Sequence, residues 1–565
     1  MHELSSPFVM VVFGATGDLT QRKLLPALFH LYQKQALPKH FYLVGFSRRA
    51  YSTEQFKEFL KAALQKYYTK HAFNETAWTD FSGRIYYQQG EFEEEQGYRD
   101  LIVKLAEFDT HLKACVPRYF YLATPPDKYG SILKHLHQTK LSEGCGPYFA
   151  PQGGASTYAE ASVDKSKGKQ GSGKWTKVMI EKPFGRDVED AKSLDKLLAK
   201  VFKEEQIYRI DHYLGKETVQ NILAFRYSNS LFDPVWNRQF IDYVQITIAE
   251  TLGVETRGNF FEGVGTLRDM AQSHLLELMA AIAMKPKVYT SEGIRQARAE
   301  IISSINRIEP KDVADNVVRG QYGSSVILAS EARPGSETDS GVVSASRRIL
   351  PRMTNNIKAY REEVNVDPNS NTETFVALKL TLNDPRWQGV PFYMRTGKRL
   401  SRKATEISVV FKQPRYGLFN NSSLSERSES KGKLQSMPST SSGNNFLTPD
   451  ILTFRIEPNE GIELCLNAKQ TGFHNDFNGI PLSFSYQQNT ELPQAYERLL
   501  LDAMKGDQTL FTRTDEVASS WEFIGNILEG WSSEKPQFPN YSPGTWGPGE
   551  ADELIQKDGR EWLLK

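Results

Sequence analysis

The chain has 565 residues and a formal net charge of +1, with 69 Lys and Arg against 68 Asp and Glu. That length supports two or more domains, and the charge balance excludes the broad basic surface that nucleic acid or an anionic membrane requires. Three cysteines, Cys115, Cys145 and Cys465, follow no metal-ligand or disulfide-framework spacing, so a reducing compartment is expected. No basic and apolar leader follows Met1 and no apolar run reaches membrane-spanning length, so the expectation is a cytoplasmic protein with no membrane and no nucleic-acid partner.

Residues Pro7 to Phe13, PFVMVVF, are almost wholly apolar, as in a parallel strand covered on both faces. GATGDL follows from Gly14 to Leu19, and then Leu24, Leu28 and Leu31 at helical spacing predict a helix from about Thr20, with a kink at Pro26. A second strand, FYLVGFS, ends at Ser47 and runs directly into Arg48 and Arg49. Strand, glycine turn, helix and strand make the first half of a dinucleotide-binding unit. Gly14 and Gly17 let the backbone approach a pyrophosphate, the Thr16 hydroxyl can donate to it, and Asp18 and Leu19 complete the turn; Thr20 stands where a third glycine is usual. An acidic residue at the end of the second strand would hold the 2′-hydroxyl of NAD, whereas Arg48 and Arg49 suit the 2′-phosphate of NADP. A charge-assisted bond of that kind is worth roughly 1.5 to 3 kcal/mol, so the reading is NADP over NAD.

Two more strands are predicted at Arg118 to Thr124 and at Trp175 to Gly185, separated by a Gly-, Ser- and Lys-rich insertion at 146–174. The densest polar stretch is RIDHYLGKETVQN, from Arg209 to Asn221, where Asp211, His212, Tyr213 and Lys216 lie between a short strand and a helix. Free N–H groups at such a junction, with His212 and Lys216 adding positive charge, suit a phosphate. Asp211 then needs another role. Beyond it, apolar residues alternate at 376–382, 407–411, 452–456 and 462–466, the pattern of an antiparallel sheet with one wetter face. His274 rides on a helix striped by Leu275, Leu278, Met279 and Ile282, and Ser- and Asn-rich insertions are read at 328–372 and 414–448. The fold class is therefore α/β plus α+β. A Rossmann-like dinucleotide-binding domain, 1–210, is followed by a larger α+β domain, 211–565, with a mainly antiparallel sheet.

GATGDL, RIDHYLGKE and RTGK (Arg395 to Lys398), with YLATPP, EKPFGRD, AYERLLLDA and GEADELI, closely resemble the glucose-6-phosphate dehydrogenase family over nearly the whole chain outside the insertions. The resemblance implies oxidation of glucose 6-phosphate at C1 to 6-phospho-D-glucono-1,5-lactone with NADP as co-substrate, at the entry of the oxidative pentose phosphate pathway. It also implies a homodimer or homotetramer joined through the antiparallel sheet. It makes His274 the base and Asp211 its orienting partner. His212, Tyr213, Lys216 and Lys403 are implied as phosphate ligands, Lys182 as reaching both substrate and coenzyme, and Glu250, Asp269 and Lys398 as holding the sugar. No metal is required. Three departures stand out: Glu457 replaces a glutamine common near the sugar, Ser273 replaces an asparagine before the base, and only Arg395, Arg455 and Arg513 match a second, structural NADP site. Ala249, Ala404 and Ser408 stand where that site has cations. Two alternatives remain: a broader hexose-6-phosphate dehydrogenase accepting other sugars or NAD, and a non-catalytic NADP-binding regulator.

Overall fold

The computed structural model describes residues 6–69, 71–144, 176–327, 355–413, 447–472, 477–486, 492–533 and 535–565. Two large sheets organise them. The first holds β1 (Phe8–Phe13), β2 (Phe41–Ser47), β3 (Ile85–Gln89), β4 (Arg118–Leu122), β5 (Thr176–Glu181) and β6 (Ile207–Ile210), all parallel to their neighbours. Starting from β1, the chain adds β2 and β3 on one side and β4, β5 and β6 on the other. The order reverses at β1 and β4, which opens a crevice at their carboxyl ends, the usual place for a dinucleotide. Every residue of β1 is buried, as its apolar run requires.

Gly14 follows β1 with φ of +81°, and a Cβ there would stand 2.4 Å from the Ala123 carbonyl oxygen, so the crossing of the two loops demands glycine. The next helix departs from expectation. Thr20–Leu24 forms a wider π-helical turn, and Pro26 then falls in the first turn of Leu25–Gln33, where its missing N–H needs no partner. No kink within a continuous helix is needed.

The second sheet contains β7 (Ile241–Ala249), β8 (Val317–Gly320), β11 (Phe375–Leu380), β12 (Phe392–Gly397), β13 (Ala404–Phe411), β14 (Ile451–Glu457), β15 (Gly461–Lys469) and β16 (Phe477–Ser485); β9 (Ser325–Ile327) and β10 (Asn355–Ile357) pair separately. Its pairs are antiparallel except β7 with β12, so it is mainly antiparallel, as the alternating runs predict. One expectation changes. The central strands are buried on both faces, with Val376, Leu378 and Ile407 in one core and Phe375, Ala377 and Tyr393 in a second core closed by Trp562 and Leu564 of the C-terminal segment. Only the outer strands keep a wet face.

The C-terminal third returns to the first sheet. Phe511–Thr512 adds an antiparallel strand to the edge of β6, and Arg298 donates to the Phe511 carbonyl at 2.8 Å. The helix Ala495–Lys505 is fastened by Lys177 Nζ donating to the Ala503 carbonyl at 2.6 Å and by His30 Nδ1 against Glu497 Oε1 at 2.8 Å.

The insertions at 146–174 and, for most of their length, 328–372 and 414–448 lie outside the described residues. Residues 355–372 are packed rather than loose: Tyr360 is buried, and its hydroxyl and that of Ser370 bond Glu262. The cysteine expectation is also corrected, because Cys115 is disulfide-bonded. Sequence spacing does not report which cysteines the topology brings together, and the argument from cysteine for a reducing compartment falls away.

Candidate active site

The carboxyl ends of β5, β6, β7 and β12 meet in one place. Strand β6 ends at Ile210, and the helix Glu217–Ser228 begins with Lys216 as its N-cap. Between them Gly215 admits the Ala495 carbonyl, 2.7 Å from where a Cβ would sit. Opposite, the π-helical stretch Leu267–Leu275 carries Asp269 and His274, then becomes the buried α-helix Leu276–Ala283. A π-helical turn shifts the side chains that follow it, a common device for aiming a functional group.

His274 Nδ1 lies 2.7 and 2.8 Å from the two Asp211 oxygens, and one of those oxygens also accepts the Tyr213 backbone N–H at 2.9 Å. Both side chains are 1% exposed. An ionised carboxylate accepts only, so Nδ1 carries the proton and Nε2 keeps a free lone pair. Burial disfavours the Asp211 charge, but His274, then His212 and Lys182, overcome it and hold the carboxyl far below its usual range. For His274 burial outweighs Asp211, so its pKa is lowered and the imidazole is neutral near pH 7. Burial also keeps His212 neutral, helped by repulsion from Lys182 and Lys216. This corrects the sequence-based expectation of a cation: His212 offers a neutral N–H, not a charge. Among the described residues, Asp211, His212 and His274 also bring ligand-type atoms within 4.8 Å of one another, where no metal cluster was expected; the hydrogen bonds of Asp211 to His274 account for its geometry.

Lys182 acts on both members of this pair, and Lys398, Lys216 and Lys403 are reached from it through Asp269, His212 and Glu457. Lys182, just past β5, donates to the Asp269 backbone carbonyl and lies 3.2 Å from Oδ1 of its carboxylate. Burial opposes the Asp269 charge, but Lys182, Lys398 and His274 hold its pKa far down. Lys398 follows β12 and lies 2.6 Å from Oε2 of Glu250, which follows the parallel partner strand β7; the Glu250 N–H donates to the Gly397 carbonyl at 3.0 Å. Parallel pairing thus brings both side chains to the same end of the sheet. Lys216 Nζ sits 4.5 Å from the centre of the Tyr213 ring and 2.5 Å from Oε2 of Glu457, whose other oxygen accepts from Lys403.

On the dinucleotide side, Gly17 N–H closes the turn onto the Gly14 carbonyl at 2.8 Å and Thr16 Oγ1 is 2.9 Å from Ser47 Oγ. Leu19 leads into the π-helical turn, and Asp18 is paired at 2.5 Å with Arg22. Arg48 is exposed just past β2 and makes no ion pair among the described residues, so its guanidinium is open to an anion. The close backbone turn at Gly14 and the available Arg48 fit a phosphorylated dinucleotide. The three arginines considered for a second nucleotide each have partners of their own. Arg395 lies between Trp546 and Trp562, at 4.7 and 4.3 Å from the ring centres, and donates to the Leu564 carbonyl. Arg455 pairs with Glu463, and Arg513 with Glu292 and Asp515.

Sequence reasoning missed a buried polar layer behind the site. Glu181, next to Lys182, takes the Tyr121 hydroxyl, and burial pushes its pKa up to about 7. Arg298 lies between Glu277 and Glu516, at 3.2 and 3.0 Å, in full burial. These contacts join residues on separate elements, Arg298 and Glu516 among them 218 positions apart, so no local pattern announces them.

A parallel sheet with a phosphate-type glycine turn, whose carboxyl ends meet an imidazole–carboxylate pair beside a lysine, defines a nicotinamide-dependent dehydrogenase. Two family models divide the chain: "Glucose-6-phosphate dehydrogenase, NAD binding domain" matches residues 11–221, and "Glucose-6-phosphate dehydrogenase, C-terminal domain" matches 223–563. The chain belongs to the glucose-6-phosphate dehydrogenase family. It is 40% identical over 562 residues to a glucose-6-phosphate 1-dehydrogenase of Chlamydia muridarum, covering 98% of this chain and 96% of that one. It is 36% identical over 557 residues to the enzyme of that name from Bacillus subtilis, covering 98% of each. A solved glucose-6-phosphate dehydrogenase in complex with its substrate glucose 6-phosphate superposes with a TM-score of 0.77 at 28% identity, over 100% of this chain and 99% of that one.

Proposed function

We propose that this enzyme oxidises C1 of glucose 6-phosphate to 6-phospho-D-glucono-1,5-lactone with NADP as hydride acceptor, using His274 as base and Asp211 as its positioning residue. The observation that carries the reading is the buried His274–Asp211 pair, which fixes the proton on Nδ1 and leaves Nε2 a lone pair, with Lys182 close enough to lower the His274 pKa. His274 Nε2 removes the C1 hydroxyl proton while Asp211 holds the Nδ1 proton and stabilises the imidazolium as it forms. NADP, when bound, takes up the hydride that leaves C1. The C1–O bond becomes a carbonyl, and the imidazolium later returns its proton to solvent.

His212, Tyr213, Lys216 and Lys403 are the phosphate ligands of this reading, and Glu250, Asp269 and Lys398 hold the sugar. Lys182 lies between substrate and coenzyme. Gly14, Thr16, Gly17, Asp18, Leu19 and Arg48 are assigned to NADP, the exposed guanidinium of Arg48 favouring the 2′-phosphate. Residues 1–210 then form the nucleotide domain and 211–565 the substrate and self-association domain.

The reading includes a homodimer built on β15 and β16. Register places Ile462, Leu464 and Leu466 directly opposite Phe484, Leu482 and Ile480, and Leu482 and Phe484 are 56% and 55% exposed. An apolar face of this extent on a sheet edge supports a second copy as its cover. No described helix is long and apolar enough to cross a membrane. Both substrates are multiply charged and cannot cross a bilayer unaided, so the reading keeps the enzyme with them in the cytoplasm.

The test follows the absorbance of reduced nicotinamide with NADP or NAD and with glucose 6-phosphate or free glucose. Rapid reduction that needs both NADP and the sugar phosphate is expected. Equal rates with several hexose phosphates or with NAD would favour the broader dehydrogenase, and no reduction in protein that still binds NADP would favour a regulator.

A further inference from the structure

Glu457 ends β14, paired with Thr405 across the sheet, and its carboxylate reaches into the lysine pocket. One oxygen accepts from Lys216, the other from Lys403, and the side chain is 30% exposed. Lys216 caps a helix that starts beyond β6, whereas Lys403 precedes β13, so the carboxylate bridges two separate elements. A two-oxygen anion held between two ammonium groups is the geometry a phosphate would take there. Although burial works against its charge, Lys216 and then Lys403 keep the pKa of Glu457 down at about 2, so it is ionised throughout the working range.

We propose that Glu457 is the resident anion of the phosphate seat: it holds Lys216 and Lys403 in place while the seat is empty, yields them to the incoming phosphate, and so sets KM for the phosphorylated sugar. The proposal rests on the assignment of both lysines to the phosphate. An empty seat with two ammonium groups side by side would repel itself, and Glu457 removes that repulsion. The substrate dianion must then win the lysines from a carboxylate already on them, which weakens ground-state binding. Binding energy withheld there is common to ground state and transition state, so its loss falls on KM and not on the chemical step. When product forms, the same carboxylate competes for the lysines and hastens release.

The test measures KM for glucose 6-phosphate and for free glucose, and the competitive inhibition constant of inorganic phosphate, in the full-length enzyme and in E457Q, E457A and K216A. E457Q keeps size and one acceptor oxygen but removes the charge. It is expected to lower both KM for glucose 6-phosphate and the inhibition constant of phosphate about tenfold, since one like charge is removed from a partly exposed pocket. KM for free glucose should not follow. E457A should lower the same two constants by less, because it also frees the lysines. If E457Q and E457A leave both constants unchanged or raise them, Glu457 is only a brace and the proposal is overturned. K216A separates the two failures: a raised KM for the sugar phosphate keeps the seat even when the Glu457 proposal fails, and an unmoved one removes the seat itself.

Discussion

His274 is useful as a base because two effects oppose each other at one ring. Burial lowers its pKa from the ordinary 6.5, and Asp211 raises it, with burial the stronger. The unprotonated form is the competent one, so the acid limb of kcat/KM should be centred below 6.5; a limb centred above that value would contradict the assignment. His274→Asn should lower kcat by about 10² to 10⁴ while the dissociation constant for glucose 6-phosphate, measured by titration, stays nearly unchanged. Equal loss in both would place the base elsewhere. At this scale the sequence was uneven in what it disclosed. Asp211, His212, Tyr213 and Lys216 sit in six consecutive residues, so their clustering is visible without a structure. Glu250, Asp269 and Lys398 are isolated in the sequence and were reached only through the resemblance. Glu457 was noticed as a departure, but its bridge between two lysines needed β13 and β14 to be paired.

Among elements, the helices carry more than packing. The helix after His274 presents Glu277, the helix Ser291–Ser303 presents Arg298, and Thr514–Ser532 presents Glu516, all buried. Burial pushes the pKa of both carboxyls up, against the pull of Arg298. Arg298→Leu leaves two acids without their cation and removes a donor from the Phe511 carbonyl, so a loss of about 3 to 5 kcal/mol is expected by denaturant unfolding near neutral pH. The sign with pH follows from the raised pKa values. Protonation stabilises the folded variant, so its deficit should shrink as pH falls towards 5, and a deficit that grew in acid would refute the account. Element types were largely readable: β1, β2, β4 and β5 stand where apolar runs placed them, and β13 and β14 where alternation did. Strand β12 escaped the pattern because Arg395 and Thr396 are polar yet buried. Arg395 is tolerated there because two tryptophans and a carbonyl enclose it.

At the scale of the molecule, the two sheets answer to different needs. The first has its edge beyond β6 closed by Phe511–Thr512, whereas the second ends in β16 with an apolar, exposed stripe. Leu482→Glu should therefore leave secondary structure intact and convert a dimer to a monomer in sedimentation equilibrium; an unchanged mass would move the interface to another face. The neighbouring strand β15 was legible as alternation at 462–466, but β16 and its exposure were not, because alternation does not say which strand lies outermost.

The strand at Phe511–Thr512 also governs when the protein can finish folding. A ribosome releases the chain from its N-terminus, so β1 to β6 emerge some three hundred residues before the segment that completes their sheet. Until then β6 offers an unpaired edge, and Lys177 and His30 await partners on a helix not yet made. The sheet of the nucleotide domain is therefore completed only when Phe511–Thr512 has been made and can pair with β6.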